Sequence, residues 1–361
     1  MRGSRDGWWL LITILLAVAL FGAVVALLLG FDPTTSAAEA IRTGGLVSAA
    51  VVALYALWLN DRRRRVAESR HELERRSNEQ DRERVADERF ARSVELLGHE
   101  ADQVRVGALH ALAGLARSWP SYVQTVLDVV CSYLRRPFDH PDYAQDRASE
   151  YPQWAPADKR DADRERQVRL TAQRVISELV PGRYQERGKL PDLDLTGALL
   201  DYLDLSSKAI GQLVLRDAQL YGTTRFTATE MSGDAWFTRA VSYGKLECDN
   251  VVFQGRSNFP HLTAHGRVSF EGAHFQQGAV FLSAEFHGPV TLVGSIFDKS
   301  VDLRRAAFRG DLDLRCQLSC PVRPGTGRMT VNTTSEVLLP EGWTVHNDGR
   351  IGHIGGAATP P

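Results

Sequence analysis

The residues best suited to chemistry are few. Cysteine occurs at positions 131, 248, 316 and 320, without the spacing of a secreted disulfide framework, which fits a reducing compartment. Cys316 and Cys320 stand four apart, as two ligands on one helical turn would. No CxxC partner and no histidine at zinc spacing accompanies them, so they read as structural thiols. Cys131 and Cys248 fall on apolar patterns and read as core. Pro324-Gly325-Thr326-Gly327-Arg328 superficially suggests a phosphate loop, but it lacks the Gly-Lys-Ser/Thr ending and the helix that must follow. His261, His265, His274 and His287 share one stretch, yet none has a clear register with a carboxylate pair, which places them on a surface. Asn332-Thr333-Thr334 is a glycosylation sequon, irrelevant at a cytoplasmic end. The sequence offers no nucleophile with a base, no metal set and no cofactor fingerprint. Catalytic, cofactor-binding and metal residues are therefore none, no cofactor is implied, and a non-enzymatic protein is expected.

The element that must carry these groups is visible in one spacing. From Phe226 to Leu314, steps of alternately five and six residues land on Phe226, Met231, Phe237, Ser242, Cys248, Phe253, Phe259, Ala264, Phe270, Phe275, Phe281, Phe286, Leu292, Phe297, Leu303, Phe308 and Leu314. Upstream the step relaxes to five, at Leu195, Leu200, Leu205, Ile210, Leu215 and Leu220. Two residues before each sits a second small or apolar side chain, as at Ala198, Ala218, Ala235, Ala240, Ala273, Ala279, Ala284 and Ala306. Positions two apart share one face of an extended segment, so each short unit has one apolar face and cannot bury it alone. Stacked units can, with the larger residues as internal ladders and smaller ones where four walls converge. Gly recurs every eleven residues, at 222, 233, 244, 255, 266, 288 and 310, with Gln277 and Lys299 interrupting. The expectation is a corner that needs positive φ and absorbs the sixth residue.

Ala198-Leu199-Leu200, Ala218-Gln219-Leu220, Ala273-His274-Phe275 and Ala284-Glu285-Phe286 resemble the A-x-[L/F] core of the pentapeptide repeat proteins. The resemblance covers about a third of the chain and implies a right-handed, four-sided all-β helix over residues 190–316. The 5/6 rhythm departs from the strict family repeat. Six or so coils at about 4.8 Å each give a rod of roughly 30 Å. The expected solenoid core is Leu195, Leu200, Leu205, Leu215, Leu220, Phe226, Phe237, Phe253, Phe259, Phe270, Phe275, Phe281, Phe286, Leu292, Phe297, Leu303 and Phe308.

Ahead of the repeats the chain reads in three parts. Residues 1–60 form a two-helix membrane anchor: an uncharged run from Trp8 to Gly30, then a shorter one from Gly44 to Leu59. Arg62, Arg63, Arg64 and Arg65 follow the second run, and Arg2 and Arg5 precede the first. By the positive-inside rule both termini lie in the cytoplasm of a multi-pass protein of the cell membrane. Residues 61–89, rich in Arg and Glu, form a charged helical stalk laced by i,i+4 pairs, with a homodimer through it as an alternative. Residues 90–183 follow a helical period and form a cap over the first open coil. The phrase Arg105-Val106-Gly107-Ala108-Leu109-His110-Ala111-Leu112 is similar to an inner HEAT or armadillo helix. Together with Phe90 to Gly98 and Val130 to Pro137, it resembles the helical segment before the repeats in many actinobacterial membrane-anchored pentapeptide proteins. Residues 317–361 are expected to form a C-terminal cap around Trp343 and a disordered tail.

Function follows from placement. The expected protein is a membrane-tethered, non-enzymatic scaffold that presents the repeat surface to an unknown cytoplasmic protein. A net charge of −1 argues against direct nucleic-acid binding. The family resemblance also implies an alternative, a DNA mimic acting on a type II topoisomerase. Asp192, Asp194, Asp201, Asp204 and Asp217 favour it, whereas Arg304, Arg305, Arg309 and Arg315 offset Asp298, Asp302, Asp311 and Asp313.

Overall fold

The computed structural model describes residues 3–31, 37–143, 159–185, 188–319, 329–341, 343–346 and 348–353. The chain divides into two compact units, Met1–Val85 and Ala86–Pro361.

In the first unit, α1 (Gly3–Phe31) and the start of α2 (Ala37–Leu97) pack against each other. The contact forms where side chains are small. A Cβ at Gly44 would stand 3.0 Å from Val25 Cγ2, and one turn on, the Ser48 hydroxyl donates to the carbonyls of Gly44 (2.9 Å) and Ala17 (3.3 Å). Leu15, Leu16 and Val18 of α1, and Leu46, Leu54 and Leu57 of α2, are exposed instead. Among the described residues one stretch, Ile41–Arg62, is long and apolar enough to cross a membrane by length and composition. Of the two spans expected, this is one; the described apolar part of α1, Ile12–Leu27, is shorter than that length. Helix α2 runs unbroken through residues 60 and 89, where anchor, stalk and cap were expected to meet.

In the second unit, α3 (Asp102–Ser118), α4 (Val123–Leu134) and α5 (Lys159–Leu179) pack together. Helix α3 stops at Trp119, which adopts extended backbone before Pro120. Helix α5 buries Ala162, Val168, Ala172, Val175, Ile176 and Leu179 along one stripe while its other faces carry charge. Their core is continuous with that of the repeats.

The repeats wind into a parallel β-solenoid of about six turns with four walls. Named in chain order, the walls begin at Leu193–Asp194, Leu199–Asp201, Asp204 and Ala209–Ile210. Each wall becomes a parallel sheet of six or seven short strands. The first wall advances 20 residues from Leu193 to Leu213 and then 22 from Leu213 to Ala235. The sixth residues are thus accommodated without interrupting the sheets. They turn two corners per coil, one between the second and third walls and one between the fourth and first.

The glycines at those corners serve a purpose other than the expected one. Among Gly222, Gly233, Gly244, Gly255, Gly266, Gly288 and Gly310, only Gly222 has positive φ. What requires glycine is close approach: a Cβ on Gly244 would overlap the carbonyl oxygen of Gly222, and one on Gly266 that of Gly244. Positive φ recurs at a different set of corners, two residues past ladder positions, at Asp217, Ala228, Arg239, Asn250, His261, Gly272, Ser283, Gly294 and Arg305. Where the glycine series breaks, Lys299 Nζ donates to Gln277 Oε1 on the coil before it at 2.6 Å.

The solenoid also runs on past residue 316. Gln317–Leu318, Thr330–Val331 and Val337–Leu338 extend the fourth, second and third walls, and an antiparallel pair, Trp343–Val345 with Ile351–His353, follows. Cys320, the Pro324–Arg328 loop, Trp154 and the tail from residue 354 lie outside the described residues.

Candidate functional site

The interior is filled by stacked side chains. On the first wall Phe237, Phe259 and Phe281 stack with ring centroids 4.8 and 4.7 Å apart, between Leu215 and Leu303. On the fourth, Phe253, Phe275 and Phe297 stack at 4.8 and 4.5 Å. The second wall carries Leu200, Leu220, Ser242, Ala264, Phe286 and Phe308, and its small members leave room for rings from the other walls. In that space Phe259 meets Phe253 and Phe270 edge-on at 6.2 and 5.5 Å. Leu195, Leu200, Leu205, Leu215, Leu220, Phe226, Phe270, Phe286, Leu292 and Phe308 are all buried, as are the rings just named. Leu303 is half-buried, near the last coil. The position two before is not reserved for small residues, since Leu213, Leu246 and Leu262 are buried there too. An apolar cavity of about 20 Å³ at the C-terminal end, between Phe281, Phe297, Cys316 and Trp343, has room for about one water.

The first coil is closed by the helical block, wall by wall. Gln124 Nε2 donates to the Asp192 carbonyl and Gln124 Oε1 accepts the Asp192 N–H, both at 2.9 Å, so one amide side chain stands in for a neighbouring strand. Gln173 Oε1 accepts the Asp201 N–H at 3.2 Å. The Ala209 N–H donates to Pro181 O, and the Arg183 N–H to Ser207 O, each at 2.8 Å. An edge that would otherwise present free donors and acceptors is thereby paired. Beside it the nearly buried Asp201 carboxylate accepts from Tyr143 Oη and Arg166 Nε, both at 2.7 Å. Burial and that carboxylate push the Tyr143 hydroxyl well above its ordinary pKa, so it stays a donor.

Outside, the second wall carries a ladder that the sequence reading missed. Tyr143, Tyr221, Tyr243, His265 and His287 stack with centroid separations of 4.0, 4.6, 5.3 and 4.9 Å. From Tyr221 onward its members sit one residue past the internal ladder and recur every 22 residues, a signal readable only once the coil length is known. His265 and His287 therefore share a register with each other. His274, expected on the surface, is half-buried there and pairs with Asp298 Oδ2 at 2.8 Å, and His287 lies 3.7 Å from Glu285.

Among the described residues one group could hold a metal ion: His140, Asp142 and Asp163. The imidazole is spoken for. Its Nδ1 accepts the Asp142 N–H at 3.1 Å, which puts the proton on Nε2, and Nε2 donates to Asp163 at 2.9 Å. With both ring nitrogens engaged and Lys159 on Asp142 at 2.9 Å, the cluster reads as a polar knot anchoring the start of α5. The thiols of the described cysteines are held in the protonated form. Burial first, then Asp128, pushes Cys131 up to about 12; burial pushes Cys316 up to about 11 and Cys248 well above the ordinary value. Of the four anchor arginines, Arg62 lies 5.4 Å from the Trp58 ring and Arg65 pairs with Asp61 at 2.7 Å. Arg64 is exposed, and Arg63 lies on the same helix.

The family model described as pentapeptide repeats (9 copies) matches residues 270–315. Neither a curated protein nor a solved structure gives a significant match. The matched segment lies in the last coils, and the same ladder register continues back through Phe253, Phe237 and Leu215 to Leu195. On this match and the four-walled β-solenoid, the chain carries a pentapeptide-repeat solenoid.

Proposed function

We propose that this protein is a membrane-tethered, non-enzymatic scaffold whose solenoid walls present a regular surface to a protein partner in the cytoplasm. The observation that carries this reading is the contrast between a filled interior and ordered outer columns of side chains at one fixed spacing. Such a surface suits recognition of another protein better than enclosure of a substrate.

Tethering is supported by the first unit. Apolar side chains of both helices are exposed around a Gly44–Ser48 contact, the small-residue packing that membrane helices use. The uncharged run from Trp8 to Gly30 is long enough in sequence to make α1 a second span. Arg62–Arg65, with Tyr55 and Trp58 one turn before them, favour a cytoplasmic side for the end of the second span. The competing DNA-mimic reading needs a continuous acidic surface. Here Asp217, Asp302 and Asp313 are each paired to Arg239, Arg304 and Arg315 at 2.6–2.7 Å.

Two experiments test the parts separately. Alkaline carbonate extraction of cell membranes should leave the chain in the pellet, and its release would end the anchor reading. Cross-linking in native membranes should capture a partner with the natural chain and lose it when outward residues are recoded with the ladders intact. Capture of a topoisomerase subunit would transfer support to the mimic, and capture indifferent to recoding would reduce the repeats to a spacer.

A further inference from the structure

The outer ladder of the second wall changes character along its length. Tyr221 and Tyr243 are phenols, whereas His265 and His287 are imidazoles stacked on one another at 4.9 Å and 19°. Their backbones are held in the wall, with the His265 N–H donating to Ser242 O and the His287 N–H to Ala264 O, each at 2.8 Å. The groups facing the pair are few. Tyr243 covers the other side of His265 at 5.3 Å. Glu285 lies 3.7 Å from His287 Nε2 and is shared with Arg309, whose guanidinium is 3.5 Å away. Lys245 and Arg267 stand two residues beyond Tyr243 and His265 and make no ion pair among the described residues.

We propose that His265 and His287 form a proton-sensitive joint: neutral, they stack and tie two successive coils together on the outside, and protonated, they repel and loosen the wall there. Two imidazoliums at ring-stacking distance oppose each other, and only one carboxylate is at hand, already committed to Arg309. Glu285 can accommodate one proton on the pair but not two, so a second positive charge there is opposed by the first. The surroundings of His287 agree in direction. Burial first, then His265 and Arg309, depress its pKa, against a smaller opposing pull from Glu285. A histidine whose folded value is depressed contributes its full stability above the unfolded value of about 6.5, and loses it as pH falls below that toward the folded value. The joint therefore holds at neutral pH and weakens in mild acid.

The test uses the full chain in neutral detergent micelles with ring-labelled histidine, followed by NMR from pH 8 to pH 4.5. The His287 signal should titrate below the ordinary histidine value. His265→Tyr continues the phenol register and should raise the His287 midpoint, and His265→Tyr with His287→Tyr makes the double tyrosine variant. A His287 midpoint at the ordinary value, or one indifferent to the replacement of His265, would overturn the proposal. Deuterium exchange separates a joint from a mere titration. After scaling for intrinsic rates, protection of the His265 and His287 amides should fall between pH 7.5 and pH 5 in the natural chain. It should hold in the double tyrosine variant, and an equal acid loss in both chains would show that the pair does not govern the wall.

Discussion

Two ladders run along this solenoid at the same 22-residue interval, one inside and one outside. The inner phenylalanines of the fourth wall stack at 4.5–4.8 Å, and the outer Tyr143-to-His287 series at 4.0–5.3 Å. In ring geometry they are nearly the same. In energetics they differ, because an inner ring is surrounded on every side by other walls while an outer ring from Tyr243 on has one edge in water. Stacking distance alone therefore says little about stability. The inner ladder fixes the fold, and the outer one is free to vary in residue type and so to carry a response.

The comparison breaks most clearly on the inner side. Phe275→Ala removes a fully buried ring sandwiched between Phe253 and Phe297 and leaves a cavity that two rigid neighbours cannot close. It should cost about 3–5 kcal/mol, read from the shift in the urea midpoint of the second unit within the full chain. A cost near that of an outer-ring deletion would mean that the interior packs more loosely than its separations imply.

Next comes the corner between the second and third walls, just past the outer ladder's Tyr243. Gly244→Ala puts a methyl group into the Gly222 carbonyl, which is backbone and has nowhere to go. Gly244 does not have positive φ, so any loss is steric and not conformational. An overpacking cost of about 1–3 kcal/mol is expected by the same measurement. Gly272→Ala supplies the contrast: its φ of 63° strains an alanine, while the nearest obstacle is the Asn250 side chain, which can move.

How much of this was legible beforehand depends on which interactions are local in sequence. The inner ladder was readable because its members share a residue class and recur every five or six positions. The outer ladder was not, because its partners are 22 apart and change from Tyr to His. The glycine period was read correctly and explained wrongly, since spacing cannot distinguish a positive φ from a neighbouring backbone pressed against the same atom. The walls beyond Cys316 were missed because the interval lengthens there, from Leu318 to Val331, and hides the register. Gln124 and Gln173 carry no sequence mark at all. An amide on a helix becomes a strand surrogate only when the helix lies across a sheet edge.

That last point yields a smaller effect on the open end of both ladders. Gln124→Ala strips the Asp192 N–H and carbonyl of their partner while leaving the α4 backbone and its apolar stripe intact. Uncapping should cost about 1–3 kcal/mol, the usual penalty for stranding a polar group, less whatever water recovers at this exposed site. Gln124→Glu sharpens the assignment, because a carboxylate can accept from the Asp192 N–H but cannot donate to its carbonyl. It should fall between the natural chain and the alanine variant, and it would match the alanine variant if the carbonyl contact carried the whole effect.

The smallest effect belongs to the outer ladder itself. Tyr243→Ala removes a half-exposed ring between Tyr221 and His265. No internal cavity opens, water fills the place, and the loss should be about 0.5–1.5 kcal/mol, the worth of the ring contacts beyond area burial. The sharper form compares Tyr243→Ala with Tyr243→Phe in the same denaturation series. If the ladder acts through ring faces, the phenylalanine variant keeps nearly all the stability, because stacking uses the ring and not the hydroxyl. If Tyr243→Phe were as damaging as Tyr243→Ala, the tyrosine would be held by its hydroxyl, and the outer ladder would be a row of separate polar contacts that happen to lie in line. Inner and outer ladders would then share a spacing imposed by the coil and nothing else.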